Sequence, residues 1–271
     1  MHDLVALHFP ETLTWKIRWS LLPFLEPSIE RAARIVTVSA SVAREIAAAW
    51  PRAAAKTEVI WNGVDEAFRP ASEAAIAATR QRLGLPAGFL LYVGTLEPRK
   101  NVELLVEAWQ ALRADWPAAP PLVIAGPEGW HSSALVRRLD RLSDAGLRRL
   151  GHLPRPELIA VLQAATVFVF PSLYEGFGLP VAEAMACGVP VVVARRSSLP
   201  EVVGDAGLCV DADEPHELVE TLAQLLPDRE RMQRLATLGR ERARSFSWRT
   251  AGERLAAVFR QVLAGSPETS R

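Results

Sequence analysis

Two carboxylates and two cations are placed where they could bind a ligand that carries both hydroxyls and phosphates. Glu175 lies in a glycine-containing loop over residues 173–179, and Glu183 follows in the first turns of the predicted helix. Arg99 and Lys100 precede a second predicted helix. Carboxylates accept hydrogen bonds from sugar hydroxyls, whereas cations and the N-terminus of a helix attract phosphate. The residue types therefore favour a nucleotide sugar as ligand.

Each of these residues also has a purely structural interpretation. Glu183 could be an acid that stabilises the N-terminus of its helix, and Glu175 could be a solvated loop charge. Arg99 and Lys100 could be a solvated loop pair, which is the usual fate of such residues. The order of the predicted elements is what favours a functional interpretation.

A strand, a glycine loop, a helix and a second strand are predicted around Glu175. Residues 166–170 form a short, apolar, β-branched run, Pro180 suits a first helical turn, and Gly188 suits a helix end before the strand 190–193. From residue 89 onward strands alternate with helices, which predicts a parallel sheet covered on both faces. The loops at 94–100, 126–129 and 172–179 then meet at the carboxyl edge of that sheet.

Several helix ends carry local signals. Ser39 or Ser41 should cap the helix that runs to about residue 50, and Pro23 should interrupt the helix in the aromatic, basic segment 13–25. Asn101 should cap the helix that follows Lys100, and Asp213 the helix near 214–226. The last helix should place on one face Leu255, Val258, Phe259, Val262 and Leu263.

Composition excludes several classes of protein. Lysine plus arginine equals aspartate plus glutamate at 31 each, so no net charge favours nucleic acid. No phosphate-binding loop with a G-K-[ST] ending occurs, and Val181 replaces the third glycine of a dinucleotide fingerprint. The five histidines lack metal spacing, and Asp211-Ala-Asp213 is interpreted as a turn rather than a metal motif. We predict no metal and no cofactor. With no signal peptide and no apolar run that could span a bilayer, we expect a cytoplasmic location.

Four motifs carry a family resemblance. The segments 175–190, 92–101, 197–205 and 246–248 resemble the E-x7-E region, the phosphate-binding loop and two further motifs of the retaining GT4-type (group 1) glycosyltransferases. His2-Asp-Leu with the later Pro10-Glu11 is similar to their mannosyltransferase-like branch.

The resemblance implies an α/β chain with the GT-B fold. We expect a complete Rossmann-like C-terminal domain with a parallel sheet over 70–246, and a partial N-terminal Rossmann-like domain over 1–69. Residues 247–271 should form a C-terminal helix that packs back towards the N-terminal domain, followed by a loose tail.

The resemblance also assigns roles. Arg99 and Lys100 would neutralise the donor diphosphate, Glu183 would bind the ribose, and Glu175 would lie against the donor sugar, with His2 facing that sugar from the N-terminal side. The implied donor-binding residues are Gly94, Thr95, Gly126, Glu175, Gly176, Phe177, Gly178, Leu179 and Glu183.

The implied function is retaining, metal-independent transfer of a hexose, with mannose from GDP-mannose as the first candidate. The acceptor would be a glycan or a lipid-linked molecule in cell-surface polysaccharide synthesis, with peripheral contact at the inner membrane face. Two other hypotheses stay open. The first is a different enzyme with the same fold, either a sugar-nucleotide epimerase or a glycogen-phosphorylase-like enzyme. The second is a non-catalytic nucleotide-sugar-binding half.

The N-terminal part departs from the family pattern. Only about 65 to 70 residues precede the second domain, and the glycine-rich loop that should open the first domain is missing. We therefore expect that the chain is a fragment, or that a partner chain supplies the missing part.

Overall fold

The computed structural model describes residues 1–10 and 15–265, the side chains of residues 15–21 and 265 excepted. The chain begins with two helices, α1 (Val5–His8) and α2 (Trp15–Arg31). A strand, a helix and a second strand follow as β1 (Ile35–Thr37), α3 (Ala40–Ala49) and β2 (Thr57–Val59). The two strands pair in parallel. We call the described residues up to 60 the small unit; its core consists of Leu4, Leu25, Ile29, Ile35, Val42, Ile46 and Ala53.

Most of the chain is built on a six-stranded sheet in which every neighbouring pair is parallel. Its strands are β3 (Leu90–Val93), β4 (Leu122–Ala125), β5 (Leu147–Gly151), β6 (Val167–Phe170), β7 (Val191–Ala194) and β8 (Leu208–Val210). Strands β3, β4, β6 and β7 are buried along their whole length. That burial agrees with their continuous apolar runs, which are typical of a sheet covered on both faces. We call residues 70–246 the large unit.

Helices connect and cover the strands of this sheet. They are α4 (Glu73–Leu83), α5 (Val102–Asp115), α6 (Ser133–Arg141), α7 (Arg155–Ala164), α8 (Leu179–Ala186), α9 (Leu199–Val203), α10 (His216–Leu225) and α11 (Arg229–Ala243). Helix α12 (Trp248–Gly265) follows the large unit. The predicted α/β class is confirmed. The predicted domain limits at 69 and 246 stay predictions. None of the described helices is long and apolar enough to cross a membrane.

The strand order is β5-β4-β3-β6-β7-β8, so the chain reverses its direction across the sheet between β3 and β6. The chain first moves outward from β3 to β5, then returns to the other side of β3 and moves outward again to β8. The loops after β3 and β6 therefore leave the sheet side by side. Open parallel sheets bind ligands at such a switch point. The topology thus places residues 94–101 next to residues 171–178.

Several predicted helix ends agree with the structure. The Ser39 hydroxyl accepts a hydrogen bond from the Val42 amide, so it is the cap of α3. Gly188 has the positive φ of a helix C-terminal residue, and its amide donates to the Met185 carbonyl. These signals are local, and the fold preserves them.

Three other local predictions were wrong. Helix α2 continues through Pro23, because Leu25 and Ile29 beyond it are buried and packing holds the helix together. Asn101 lies at the predicted N-cap position of α5, but it has a left-handed backbone and the expected capping bond is missing; its side-chain amide donates to the Ala212 carbonyl. Asp213 lies before the start of α10 and pairs with Arg196.

The last helix forms as predicted, but most of its predicted apolar face is exposed within the described structure. Val258 is buried, but Leu255, Phe259 and Leu263 are 38%, 60% and 74% exposed within the described structure. The predicted common apolar face is therefore only partly covered. The aromatic and basic side chains of residues 15–19, and the tail at 266–271, lie outside the described residues.

Candidate functional site

A compact ion cluster occupies the switch point between β3 and β6. The Lys100 ammonium donates to Glu175 Oε1 at 2.6 Å, and an Arg99 guanidinium nitrogen lies 3.6 Å from Glu175 Oε2. All three side chains are 12–14% exposed. The structure therefore brings together three of the residues singled out in the sequence. Their role in donor binding stays a prediction.

Arg99 is held in place by groups that the sequence analysis did not identify. Its guanidinium donates to Glu97 Oε1 and to the Tyr174 carbonyl, each at 2.5 Å. The second Glu97 oxygen accepts from the Trp130 indole at 3.1 Å. Glu97 therefore fixes the direction in which Arg99 points. Its position two residues before Arg99 was the one available signal.

The glycine loop is anchored by two serines at the start of the segment that leads into α9. The Glu175 amide donates to Ser197 Oγ at 2.8 Å. The Ser198 hydroxyl, fully buried, donates to the Glu175 carbonyl at 2.8 Å and to the Phe177 carbonyl at 2.9 Å. Because both backbone groups of Glu175 are bound, the loop is held in one conformation before any ligand arrives.

Gly176 permits a close approach by the small unit. A Cβ atom on Gly176 would lie 1.9 Å from the His2 carbonyl oxygen, which no side chain could tolerate. The His2 backbone therefore packs directly on the glycine loop. The predicted contact of the His2 imidazole with a sugar stays a prediction.

The other predicted glycines shape the edge of the sheet. Gly126 has a φ of +141°, and a Cβ there would lie 2.0 Å from the Gly94 carbonyl oxygen. The hydroxyl of buried Tyr92 approaches the Thr95 carbonyl at 3.4 Å. Gly178 precedes α8, whose N-terminus has no side-chain cap. Pro180 has no amide hydrogen, and the Val181 and Ala182 amides donate to the Gly178 carbonyl, so the dipole of α8 is what favours an anion there.

Glu183 has different neighbours from Glu175. The charges that act on it are those of Arg155 and Asp65, which pair with each other at 2.7 Å. Burial raises the pKa of Glu183 from 4.5 to about 7; Arg155 opposes this rise and Asp65 adds to it. The contacts of the cluster at Lys100 do not include Glu183 within the described structure.

The raised pKa of Glu183 predicts a pH-dependent stability. The folded protein binds this proton more tightly than the unfolded chain, so the free energy of unfolding falls as pH rises from 4.5 to about 7 and changes little above that. Glu183→Gln removes the titration. At pH 8 we expect the variant to be more stable than the parent by about 1–3 kcal/mol, with near equality at pH 4.5.

Urea unfolding at pH 4.5, 6 and 8 measures this effect. Glu157→Gln is the control, because Glu157 is a more exposed carboxylate on the adjacent helix α7 that pairs with Arg82. Parallel stability curves for the parent and Glu183→Gln across this pH range would contradict the prediction.

Tyr174 joins the glycine loop to the small unit. Its hydroxyl donates to Glu45 Oε2 at 2.7 Å and accepts from the Leu4 amide at 2.9 Å. The same Glu45 oxygen lies 2.9 Å from His8 Nε2, and burial with the Glu45 bond raises the pKa of Tyr174. The residue just before Glu175 is thus bound by both units. Sequence reasoning did not identify it.

The Asp211-Ala-Asp213 segment makes protein contacts. The Asp213 amide donates to the Asp211 carboxylate at 2.8 Å, as expected for a turn, and both carboxylates face Arg196. No group of three or more potential metal ligands occurs among the residues that the structure describes. The predictions of no metal and no cofactor stay predictions.

Comparison with known families matches nearly the whole chain. Residues 77–242 match the family described as "Glycosyl transferases group 1", and residues 1–68 match "Glycosyltransferase Family 4". The O-antigen chain mannosyltransferase B of Escherichia coli is 37% identical over 226 residues, which is 83% of this chain and 59% of that protein. A D-inositol 3-phosphate glycosyltransferase of Corynebacterium glutamicum (strain R) is 34% identical over 77% of this chain and 52% of its own length. The chain thus spans somewhat more than half of these curated relatives.

Solved structures show the same fold. Sucrose-phosphate synthase from Thermosynechococcus elongatus aligns with a TM-score of 0.80 and 26% identity, over 98% of this chain and 67% of that one. Anabaena HepE, crystallised with UDP and glucose, aligns with a TM-score of 0.79 and 22% identity, over 98% and 70% of the two chains. The predicted GT-B fold is therefore confirmed. Since the first family match alone exceeds half of the 271 residues, the chain belongs to the group 1 (GT4-type) glycosyltransferases.

Proposed function

We propose that the protein takes part in retaining transfer of a hexose, with mannose as the first candidate, from a nucleoside-diphosphate sugar to a glycan or lipid-linked acceptor. The reaction we propose needs no metal and serves cell-surface polysaccharide assembly at the cytoplasmic side of the membrane, with peripheral contact. The observation that carries the proposal is the cluster of Arg99, Lys100 and Glu175 at the switch point.

The cations suit a diphosphate. Lys100 has three N–H donors, of which the Glu175 bond uses one, so donors remain for phosphate oxygens. Arg99 lies beside it with a planar, permanently charged guanidinium that Glu97 and Tyr174 hold in position. The uncapped N-terminus of α8, which follows the glycine loop directly, adds a partial positive charge.

The carboxylates suit the hydroxyl groups of the ligand. Glu175 lies within the cation cluster, where its oxygens would accept from hydroxyls of the sugar. Glu183, half-buried on α8, would accept from the ribose hydroxyls. Two separated carboxylates with different surroundings match a ligand that carries two separate sugar rings.

In the chemistry we propose, the two cations stabilise the leaving group. The bond between the anomeric carbon and the diphosphate oxygen breaks, and Arg99 with Lys100 stabilises the charge that develops on that oxygen. The acceptor hydroxyl attacks from the side of the leaving diphosphate, which takes its proton, so the new bond has the configuration of the old one. The protein contributes position and charge, and no covalent intermediate with a side chain is needed.

Relatives support the choice of sugar and donor. The Escherichia coli relative is a mannosyltransferase by name, and the structurally similar HepE was crystallised with UDP and glucose. The second candidate is a nucleotide-sugar-binding half that turns over only with a partner chain, and an assay of turnover distinguishes it from the first.

A ligand panel tests the proposal. We expect one nucleoside diphosphate among GDP, UDP and ADP, and its hexose conjugate, to stabilise the chain by about 2.7 kcal/mol at 100 times its Kd, with no effect from NAD. Thermal unfolding with each ligand measures this, and release of sugar or transfer to an acceptor is assayed with the conjugate that binds. Binding without turnover favours the second candidate. The absence of stabilisation by any nucleotide would contradict both.

A further inference from the structure

Glu201 binds the small unit, and the Trp61 that follows it in the chain, through three hydrogen bonds. Its Oε1 accepts from the Ala40 amide and from the Trp61 indole, both at 2.8 Å, and its Oε2 accepts from the Ser41 amide at 3.0 Å. Glu201 belongs to helix α9 of the large unit, whereas Ala40 and Ser41 are the first residues of α3 in the small unit. The carboxylate thus satisfies amides that have no partner inside their own helix.

The charge of Glu201 suits this place. The N-terminus of α3 carries a partial positive charge, and hydrogen bonds from amides to a carboxylate are stronger than those between neutral groups. Ser39 caps only the Val42 amide. Without Glu201, two further amides at the boundary between the units would lose their partner.

The backbone of Glu201 is fixed as well. Arg242 donates to the Glu201 carbonyl at 2.8 Å and to the Val202 carbonyl at 3.2 Å. The same guanidinium lies 5.0 Å from the centre of the Trp61 ring. Glu201 and Trp61 are therefore held from both sides, which leaves the carboxylate little freedom to leave α3.

The segment that carries Glu201 also carries the two serines that anchor the glycine loop. Ser197 and Ser198 bind the amide and the carbonyl of Glu175, and α9 starts at the next residue, Leu199. Within five residues, one segment holds both the candidate donor loop and the small unit. The His2 backbone, which packs on Gly176, belongs to the unit that Glu201 holds.

We propose that Glu201 is a positioning residue that sets the placement of the small unit, and with it of His2, against the glycine loop. The part of the proposal that concerns ligands rests on the proposed function. The nucleotide is bound by the large unit, while the transferred sugar lies between the loop and the small unit. Glu201 therefore affects the binding of the sugar part of the ligand and not that of the nucleotide part.

Calorimetry with Glu201→Ala and Glu201→Gln tests this. We expect the alanine variant to bind the nucleotide sugar about tenfold more weakly, and the matching nucleoside diphosphate within about twofold of the parent. The glutamine variant keeps Oε1, which receives the bonds from Ala40 and Trp61, so its affinity for the nucleotide sugar should fall less. If Glu201 contributed only to stability, its substitution would weaken the binding of both ligands alike or of neither. That result would overturn the proposal.

Glu217→Ala is the matched control. Glu217 is also a carboxylate that accepts from a backbone amide, that of Asp211 at 2.6 Å, and it pairs with Arg195, but both of these partners belong to the large unit. It should change neither affinity. If Glu201→Ala does not fold by circular dichroism, Glu201→Gln carries the comparison.

Amide hydrogen exchange separates this proposal from the proposed function, since it needs no ligand. Glu201→Ala should speed exchange at Ala40 and Ser41 and also at residues 174–177, whereas Glu217→Ala should not. If the parent binds no nucleotide, the proposed function fails. The exchange rates then test by themselves whether Glu201 positions the small unit. Unchanged exchange at 174–177 would overturn the positioning role.

Discussion

Lys100→Met is expected to weaken the binding of nucleoside diphosphates and their sugar conjugates by about 100-fold. The substitution keeps the length of the side chain and its packing near the Phe170 ring, whose centre lies 5.4 Å from the ammonium, but removes the charge. Glu175 is then left with Arg99 at 3.6 Å as its remaining cation. The diphosphate would meet a site with one positive charge fewer, and the carboxylate would repel it more strongly.

The same variant should lose about 2 kcal/mol of unfolding free energy, because a mostly buried carboxylate loses its shorter ion pair. Calorimetric titration and urea unfolding measure the two effects separately. Arg195→Met is the matched control, since the Arg195–Glu217 pair has a similar length of 2.8 Å but side chains that are 56% and 40% exposed. Arg195→Met should lower the free energy of unfolding by less than about 1 kcal/mol and leave the affinity for the nucleoside diphosphate unaltered. Parent-like affinity in Lys100→Met would show that the diphosphate binds elsewhere.

The sequence predicted the position of the ion cluster because it depends on topology rather than on side-chain contacts. Strands that alternate with helices form a parallel sheet, and loops at the carboxyl ends of its strands share one edge. Arg99 and Lys100 follow β3, and Glu175 follows β6, which is the neighbour of β3 in the sheet. The order of the strands was therefore enough to predict that these three residues lie close together.

The supporting residues were not predictable in the same way. Glu201 binds amides 160 and 161 positions away in the chain, and Tyr174 binds Glu45 at a separation of 129. No local pattern distinguishes such a glutamate from a solvated one, because its partners are set by how two units pack. Glu97 differs, since it lies two residues from Arg99, and its role could have been suspected.

The wrong predictions have a related cause. Pro23 removes a helical hydrogen bond, yet packing of the small core outweighs that local cost in α2. Asn101 has a side chain suited to a helix cap, but its Nδ2 group donates to the distant Ala212 carbonyl and its oxygen makes no capping bond. In both places tertiary contacts override the local preference.

Gly126→Ala is expected to disrupt the sheet edge that carries the site, at a cost of at least about 3 kcal/mol in unfolding free energy. At φ +141° a side chain is strained whatever the space, and here the new Cβ would lie 2.0 Å from the Gly94 carbonyl oxygen and 2.6 Å from its carbon. Those atoms are backbone, so no rotamer change relieves the overlap. The ends of β3 and β4 would have to separate, and the Gly94 amide would lose its 3.0 Å bond to the Ala125 carbonyl.

Gly252→Ala gives the matched control for that substitution. Gly252 is an exposed residue of α12, and a Cβ there would meet no atom within 4 Å, so alanine should raise stability by up to about 1 kcal/mol through its helix propensity. Urea unfolding compares the two variants, and nucleotide titration shows whether the loop after β3 still binds. Because the displaced strand end leads directly into Thr95 and the two cations, Gly126→Ala should lose affinity along with stability. A variant as stable as the parent would mean that β4 can take another path past Gly94, and that the close contact of these strand ends is not needed to build the site.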